Sequence, residues 1–289
     1  MSQKLAYHLV VHAMEARSGV SAMQRFLTSI QSVICGHVDY NRYRCAADRR
    51  RRQGAKESSI DRDVRDVFHL DLNPVMRTAY VVRDRWAAAQ AYNRYNEAAH
   101  LAVKTEVQLL QNPSQNPGTL VLRRTLAQDQ SDQELCRVGT SLLLEHVFER
   151  VERNALTAEV RMPGLVDSAD VLGVRSSVAG ELAGLFDSEG GMTISEAARR
   201  LGCHQRTMER QLQRDGIRAE VVRMAARILR VQQRLLGSDN LTSIAHEEGF
   251  SDLAHMSRSI KASCGLSPTQ LRQMMLSAKP SKASLSTVA

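Results

Sequence analysis

The chain has 289 residues, 43% of them hydrophobic and 24% charged, with a net charge of +8 and a pI near 9.5. This length suits about two domains, and this composition excludes a disordered chain. A basic balance favours a polyanionic partner but says nothing about fold.

Residues 1–35 read as helix. Leu5, Leu9, Val10, Ala13 and Met14 recur at helical spacing, Ser18 and Gly19 interrupt the pattern, and Val20 to Ile34 resumes it. Leu9, Val10 and Val11 form too short an apolar run for a secretory signal, and nothing approaches the ~18 residues that cross a bilayer. His8 and His12 can share a helix face, but without further ligands they read as ordinary histidines and not as a metal pair. The five cysteines, Cys35, Cys45, Cys136, Cys203 and Cys264, never form C-x-x-C. That pattern points to reduced thiols in a cytoplasm and to neither a disulfide framework nor a zinc site. No cofactor or metal is expected.

His37 to Ser59 has little periodicity and carries Arg49, Arg50, Arg51 and Arg52 in a row. Such a run is either a nucleic-acid patch or a solvated, self-repelling loop. No aromatic or glycine interleaves it, which favours the loop. From Asp61 to Gln111 the pattern is helical, with Val64, Val67 and Phe68 on one face. Pro74 after Asn73 suits a first helical position, and a long helix is expected from Val75 to Leu110. Trp86, Tyr92 and Tyr95 lie in it, as core residues in preference to pocket lining. Asn112 to Gly118 is turn-rich. Thr119 to Leu126 reads as a strand, Asp129 to Asp132 as loop, Glu134 to Arg153 as an amphipathic helix, and Leu156 to Arg161 as a second strand. Val166 to Gly190 reads as one helix leading to a hinge at Gly190 and Gly191, the expected domain boundary. No nucleophile, phosphate-loop or metal motif appears in residues 1–187.

Two near-copies of one pattern follow. In the first, Thr193 and Glu196 have the spacing of a capping box. Ala197, Ala198 and Leu201 give a small apolar face, Gly202 a turn, and His204 to Arg214 a second helix. Met208 and Leu212, four apart, face inward. Gln205, Arg206, Glu209, Arg210 and Gln213 are left on the outer face. Arg can donate twice to guanine and Glu can accept from cytosine, so this face suits a major groove. In the second copy Ile244 and Ala245 face inward, Gly249 and Phe250 make the turn, and Ser251 or Asp252 caps the next helix. Met256 and Ile260 point inward, leaving Leu253, Ala254, His255, Ser257, Arg258 and Lys261 for DNA. Ser267 and Pro268 start a last helix.

Arg218 to Leu236 has neither Gly nor Pro and reads as one connecting helix that spaces the two units. From Met192 to Leu276 there are 13 Lys and Arg against 8 Asp and Glu, a net +5 of the chain's +8. The charge that neutralises phosphates is thus concentrated at the motifs.

Gly249, Phe250, Ser251, Asp252, His255, Ser257 and Arg258, followed by Cys264, Gly265, Leu266, Ser267 and Pro268, resemble the DNA-binding domain of the AraC/XylS family of bacterial transcription regulators. Ala197 to Gly202 with Arg206 to Arg210 fits the same pattern. The resemblance covers roughly residues 190–273. It implies that the second helix of each unit enters the major groove, with Arg206, Glu209, Arg210, Leu253, Ala254, His255, Ser257 and Arg258 facing bases. Leu212 and Ile260 stand where the family usually has an aromatic, and the link from Leu236 to Leu241 is about a residue short. Many members carry a cupin-like β-rich domain for arabinose-type sugars. This chain reads mainly helical there and is more similar to the mixed α/β sensor domains of other members.

The expected fold is therefore mainly α: a double helix-turn-helix domain (188–276) joined to a mostly helical or α/β regulatory and dimerisation domain (1–187), with a disordered tail (277–289). The expected function is a cytoplasmic, non-enzymatic, sequence-specific transcription regulator reading adjacent major grooves, an activator or a repressor. Double-stranded DNA and RNA polymerase are the expected partners, together with a small-molecule effector and a second copy of the chain, and no membrane. The alternatives are a DNA-tethered alkyl-transfer enzyme using Cys35 or Cys45, the latter beside several arginines, or a protein-interaction adaptor built on the same fold.

Overall fold

Leu5–Tyr7 (β1) is a strand, not the start of a helix, in the computed structural model, which describes residues 5–15, 20–99, 101–112, 115–126, 134–157 and 161–277. It pairs antiparallel with His37–Asp39 (β2), Leu5 opposite Asp39 and Tyr7 opposite His37. Helical spacing holds only from His8, through α1 (His8–Glu15). Next comes α2 (Ala22–Ile34), where Ser21 accepts from Gln24 N at the N-cap and Phe26, Leu27, Ile30 and Val33 are buried. Each such side chain contributes about 1.5–3 kcal/mol by leaving water. Residues 1–4 and the expected break at Ser18 and Gly19 lie outside the described residues.

The arginine run is the last turn of a helix, α3 (Tyr40–Arg52), and not a loop. Tyr40, Tyr43, Ala46 and Ala47 bury one face of α3. Cations at a helix C-terminus complement its dipole, and carboxylates offset their repulsion: Arg50 pairs with Asp63, and Arg51 lies 3.6 Å from Asp48. Cys35 and Cys45, the candidate nucleophiles, are exposed thiols.

The helical pattern around Val64, Val67 and Phe68 is α4 (Glu57–Phe68), but the stretch from Val75 to Leu110, expected as one long helix, is instead α5 (Pro74–Thr78), α6 (Arg85–Ala98) and most of a strand, β3 (Val103–Asn112). Pro74 does open α5. Asp84 caps α6, its carboxylate accepting from Ala87 N at 2.8 Å. In β3, Thr105, Val107 and Leu109 are buried while Lys104, Glu106 and Gln108 are exposed, the period of two that a strand demands. Its partner β4 (Gln115–Leu126) begins inside the expected turn, with Asn112 opposite Gln115. Trp86 is 45% exposed and belongs to no core. Tyr95 is buried, and with the half-buried Tyr92 it lines a cavity that Tyr7, Tyr40, Tyr43, Val75 and Met76 also wall.

Helix α7 (Glu134–Ala155) matches expectation, and among the described residues no strand follows it. Leu156 and Thr157 close the helix as a turn, Arg161 pairs with Asp167, and residues 158–160, like the expected loop at Asp129–Asp132, lie outside the described residues. Val166 to Gly190 is broken into α8 (Leu165–Val171) and α9 (Val178–Ser188) by Gly173 at φ +66° and by the Ser177 N-cap. The remaining elements are α10 (Ile194–Arg200), α11 (Gln205–Asp215), α12 (Ala219–Arg234), α13 (Leu241–Glu247), α14 (Leu253–Cys264) and α15 (Pro268–Ser277).

The described part is thus mainly helical with two small two-stranded sheets. One apolar cluster joins α1, α3, α4 and part of α7. The larger one runs from α2 and α6 through α9 into the last six helices, without interruption at Gly190 and Gly191. Among the described residues no helix is long and apolar enough to cross a membrane.

Candidate nucleic-acid interface

The first unit closes as its residues dictate. Thr193 Oγ1 accepts from Glu196 N at 3.1 Å, and Thr193 N donates back to the Glu196 carboxylate at 2.9 Å. The bonds that Thr193 N and Thr193 Oγ1 donate to the Glu196 carboxylate hold it below its usual range. Gly202 turns the chain at φ +68°. Met208 and Leu212 are fully buried beneath α11. Gln205, Arg206, Glu209 and Arg210 are all exposed on its outer face, with Gln213 and Arg214 continuing it. Gln205 Nε2 donates to Glu209 Oε1 at 2.8 Å, which presents that carboxylate in one rotamer.

The second unit is built on the spacer α12. Asn240 caps α13, accepting from Thr242 N at 2.8 Å, and Ile244 and Ala245 are buried. Gly249 sits at φ +77°, and a Cβ there would come within 2.6 Å of Arg227 Nη2. Phe250 is buried as a plug, with the Arg227 guanidinium 5.9 Å from its ring centre. Asp252 is the cap of α14: Oδ1 accepts from His255 N at 2.6 Å, which with Ser251 Oγ at 3.0 Å lowers its carboxyl pKa. Met256 and Ile260 point inward. An ion network around the buried Glu248 fastens α13 to α12: Glu248 accepts from Arg230 Nε at 2.6 Å, and Arg234 pairs with the exposed Asp239 at 2.8 Å and Glu247 at 2.6 Å.

The two outer faces differ. On α14, Ala254, Arg258 and Lys261 are exposed, but Leu253, His255 and Ser257 are half-buried. Leu253 packs against the core. His255 lies edge-on to Phe250 at 5.2 Å, with Nδ1 3.2 Å from Ser251 Oγ. Arg206, Arg210, Arg258 and Lys261 have no carboxylate in ion-pair range among the described residues. Their neighbours Arg200, Arg223, Arg230 and Arg234 all do.

Sequence reasoning overlooked the polar residues that join the two halves of the chain: Asn73, Arg77, Gln232 and Ser263, all buried. A signal existed in Gln232, a lone amide on the apolar face of α12.

Residues 197–274 match the family model of a helix-turn-helix domain. The match spans both units, α10 with α11 and α13 with α14, together with the α12 spacer, so this part of the chain is a double helix-turn-helix domain. No curated protein matches the sequence significantly. The chain is also similar to solved structures of ToxT from Vibrio cholerae. One has 15% identity over 52% of this chain and 51% of that one, with a TM-score of 0.30. Another has 11% identity over 53% and 60%, with a TM-score of 0.32. The chain thus spans about half the length of the first of these, and a likeness this slight bears on neither ligand nor mechanism.

Proposed function

We propose that the chain regulates transcription by binding a specific DNA sequence with α11 and α14 in two successive major grooves. The observation that carries this reading is the set of exposed, unpaired cations on the outer faces of both helices. Four other arginines of the domain, Arg200, Arg223, Arg230 and Arg234, are neutralised by carboxylates. Unpaired cations are what phosphates and guanines require. Gln205, Arg206, Glu209 and Arg210 are the base-reading set of the first unit. Leu253, Ala254, His255, Ser257, Arg258 and Lys261 form the contact surface of the second, with Arg258 and Lys261 its cations. Successive grooves lie about 34 Å apart, and the helical spacer α12 that fixes the relation of the two units supports reading both grooves with one chain. RNA polymerase is the partner of an activator placed in this way, and the tyrosine-lined cavity beside α5 is the place for an effector.

The test is binding of the full chain to duplexes selected from a random library, at two salt concentrations. Affinity for the selected duplex should exceed that for scrambled duplex about a thousandfold or more, and both should weaken steeply with salt. Equal affinity for selected and scrambled duplexes would refute the reading.

A further inference from the structure

Helix α5 has five residues, yet it holds two of the six helices of the DNA-binding region. Its N-cap, Asn73, is fully buried. Asn73 Oδ1 accepts from Val75 N at 3.1 Å, and Nδ2 donates to Ser32 O at 2.8 Å and Ser263 O at 2.9 Å. Ser263 lies in the last turn of α14. Its carbonyl also accepts from Gly36 N at 2.7 Å, and its hydroxyl donates to Val33 O. Four residues along, Arg77 is 3% exposed. Its Nη1 donates to Gln232 Oε1 at 2.7 Å and Leu229 O at 3.2 Å, both on α12, and its Nε to Pro163 O at 2.7 Å. Gln232 Nε2 returns a bond to Pro74 O at 2.7 Å. One end of α5 therefore grips the second recognition helix and the other grips the spacer.

The anchor of α5 is itself rigid. Asn73 N donates to Asp71 Oδ1 at 2.9 Å. Asp71 Oδ2 accepts from Tyr7 OH at 2.8 Å and lies 3.2 Å from His8 Nε2. His8 Nδ1 donates to Gly36 O at 2.8 Å. Both ring nitrogens of His8 face acceptors, an arrangement that favours the protonated ring beside Asp71.

Buried polar contacts add little net stability over apolar packing of the same volume, but they fix geometry. Burial pulls the Arg77 guanidinium down to about 10, a cost that apolar packing would avoid. We infer that Asn73 and Arg77 are positioning residues for DNA binding: through α5 they brace α14 against α12 and so set the spacing at which the two recognition helices meet DNA. This rests on the reading that α11 and α14 enter successive grooves.

The test compares the full-length wild type, Arg77→Met and Asn73→Asp on three duplexes. These carry the motif selected by the wild type, the same motif with two base pairs inserted between its halves, and one half alone. Asn73→Asp keeps the cap acceptor and loses both donors. Gln232→Met breaks the same brace from the α12 side, should either variant fold poorly. The insertion rotates one half by about 70° and should cost the wild type about tenfold or more. In the variants that penalty should shrink to about threefold or less, with affinity for the single half within about twofold of wild type. Variants that keep the wild-type penalty, or that weaken equally on all three duplexes, would overturn the brace. A wild type indifferent to the insertion would instead sink the two-groove reading, and the brace with it.

Discussion

Glu248→Gln probes the joint between α12 and the second unit. The carboxylate is 2% exposed, accepts from Arg230 Nε at 2.6 Å and Nη2 at 3.5 Å, and lies 3.7 Å from Arg234 Nη1. Removing one member of a fully buried pair costs about 3–5 kcal/mol. Three features reduce that figure. The Arg230 side chain is 31% exposed and retains part of its hydration. It also keeps its bond to Asp187 O at 2.8 Å, and Arg234 keeps Asp239 and Glu247. The amide that replaces the carboxylate can still accept one bond. The expected loss is therefore about 1.5–3 kcal/mol. Urea unfolding followed by far-UV circular dichroism measures it, with Arg230→Met and the double variant closing a cycle. The coupling should be about 1 kcal/mol or more. A loss below about 0.5 kcal/mol, the value of an ordinary surface change, would refute the role given to this network.

Arg206→Ala and Arg210→Ala should each cost about 1–3 kcal/mol of discrimination between selected and mutated sites, whereas Lys261→Ala weakens all duplexes alike and lowers the salt slope by about one. Competition gel shifts read both effects, and identical losses from all three would contradict the assignment of bases to α11. Asp71→Asn should destabilise by about 3–5 kcal/mol, because it strands the buried His8 cation. Burial pushes His8 down, but the Asp71 charge, its hydrogen bond and the Gly36 carbonyl leave its pKa raised above 6.5. A raised folded value means that the stabilisation is complete below pH 6.5 and is lost as pH rises through the folded value. Unfolding midpoints of the wild type should fall over that alkaline window, and the Asp71→Asn variant should lack the slope. A wild-type midpoint flat across the window would count against the ion pair. Gly249→Ala forces a side chain into φ +77° and against Arg227, at about 1–2 kcal/mol for the conformation alone. An unchanged melting temperature would contradict that.

The helix-turn-helix region was legible because its signals are local. Glu196 after Thr193, glycines where φ is positive, and paired apolar residues such as Met208 with Leu212 each specify geometry within a few residues. The N-terminal half was read less well, for separate reasons. Val103 to Leu109 does alternate strictly, but its position after a helical stretch hid the change of period. Arg49 to Arg52 looked like a loop because the helix that carries them is held by Tyr40 and Tyr43, nine and six residues before the run, with Tyr43 bonded to Cys136 O on distant α7. Leu5–Tyr7 is a strand only because β2 lies beside it. On α14, the loss of His255 and Leu253 from the free surface depends on Phe250 and the core, which outer-face counting ignores. The brace at Asn73 and Arg77 joins residues more than 150 apart, such as Arg77 and Gln232, and no local pattern announces such a pair.

The most direct measurement is guanine methylation interference on the selected duplex with the full-length chain. Two groups of interfering positions about one helical turn apart, on one face of the duplex, are the predicted result. Arg210→Ala should erase one group and leave the other. A single group, or two groups that Arg210→Ala leaves intact, would contradict a chain that reads successive grooves with α11 and α14.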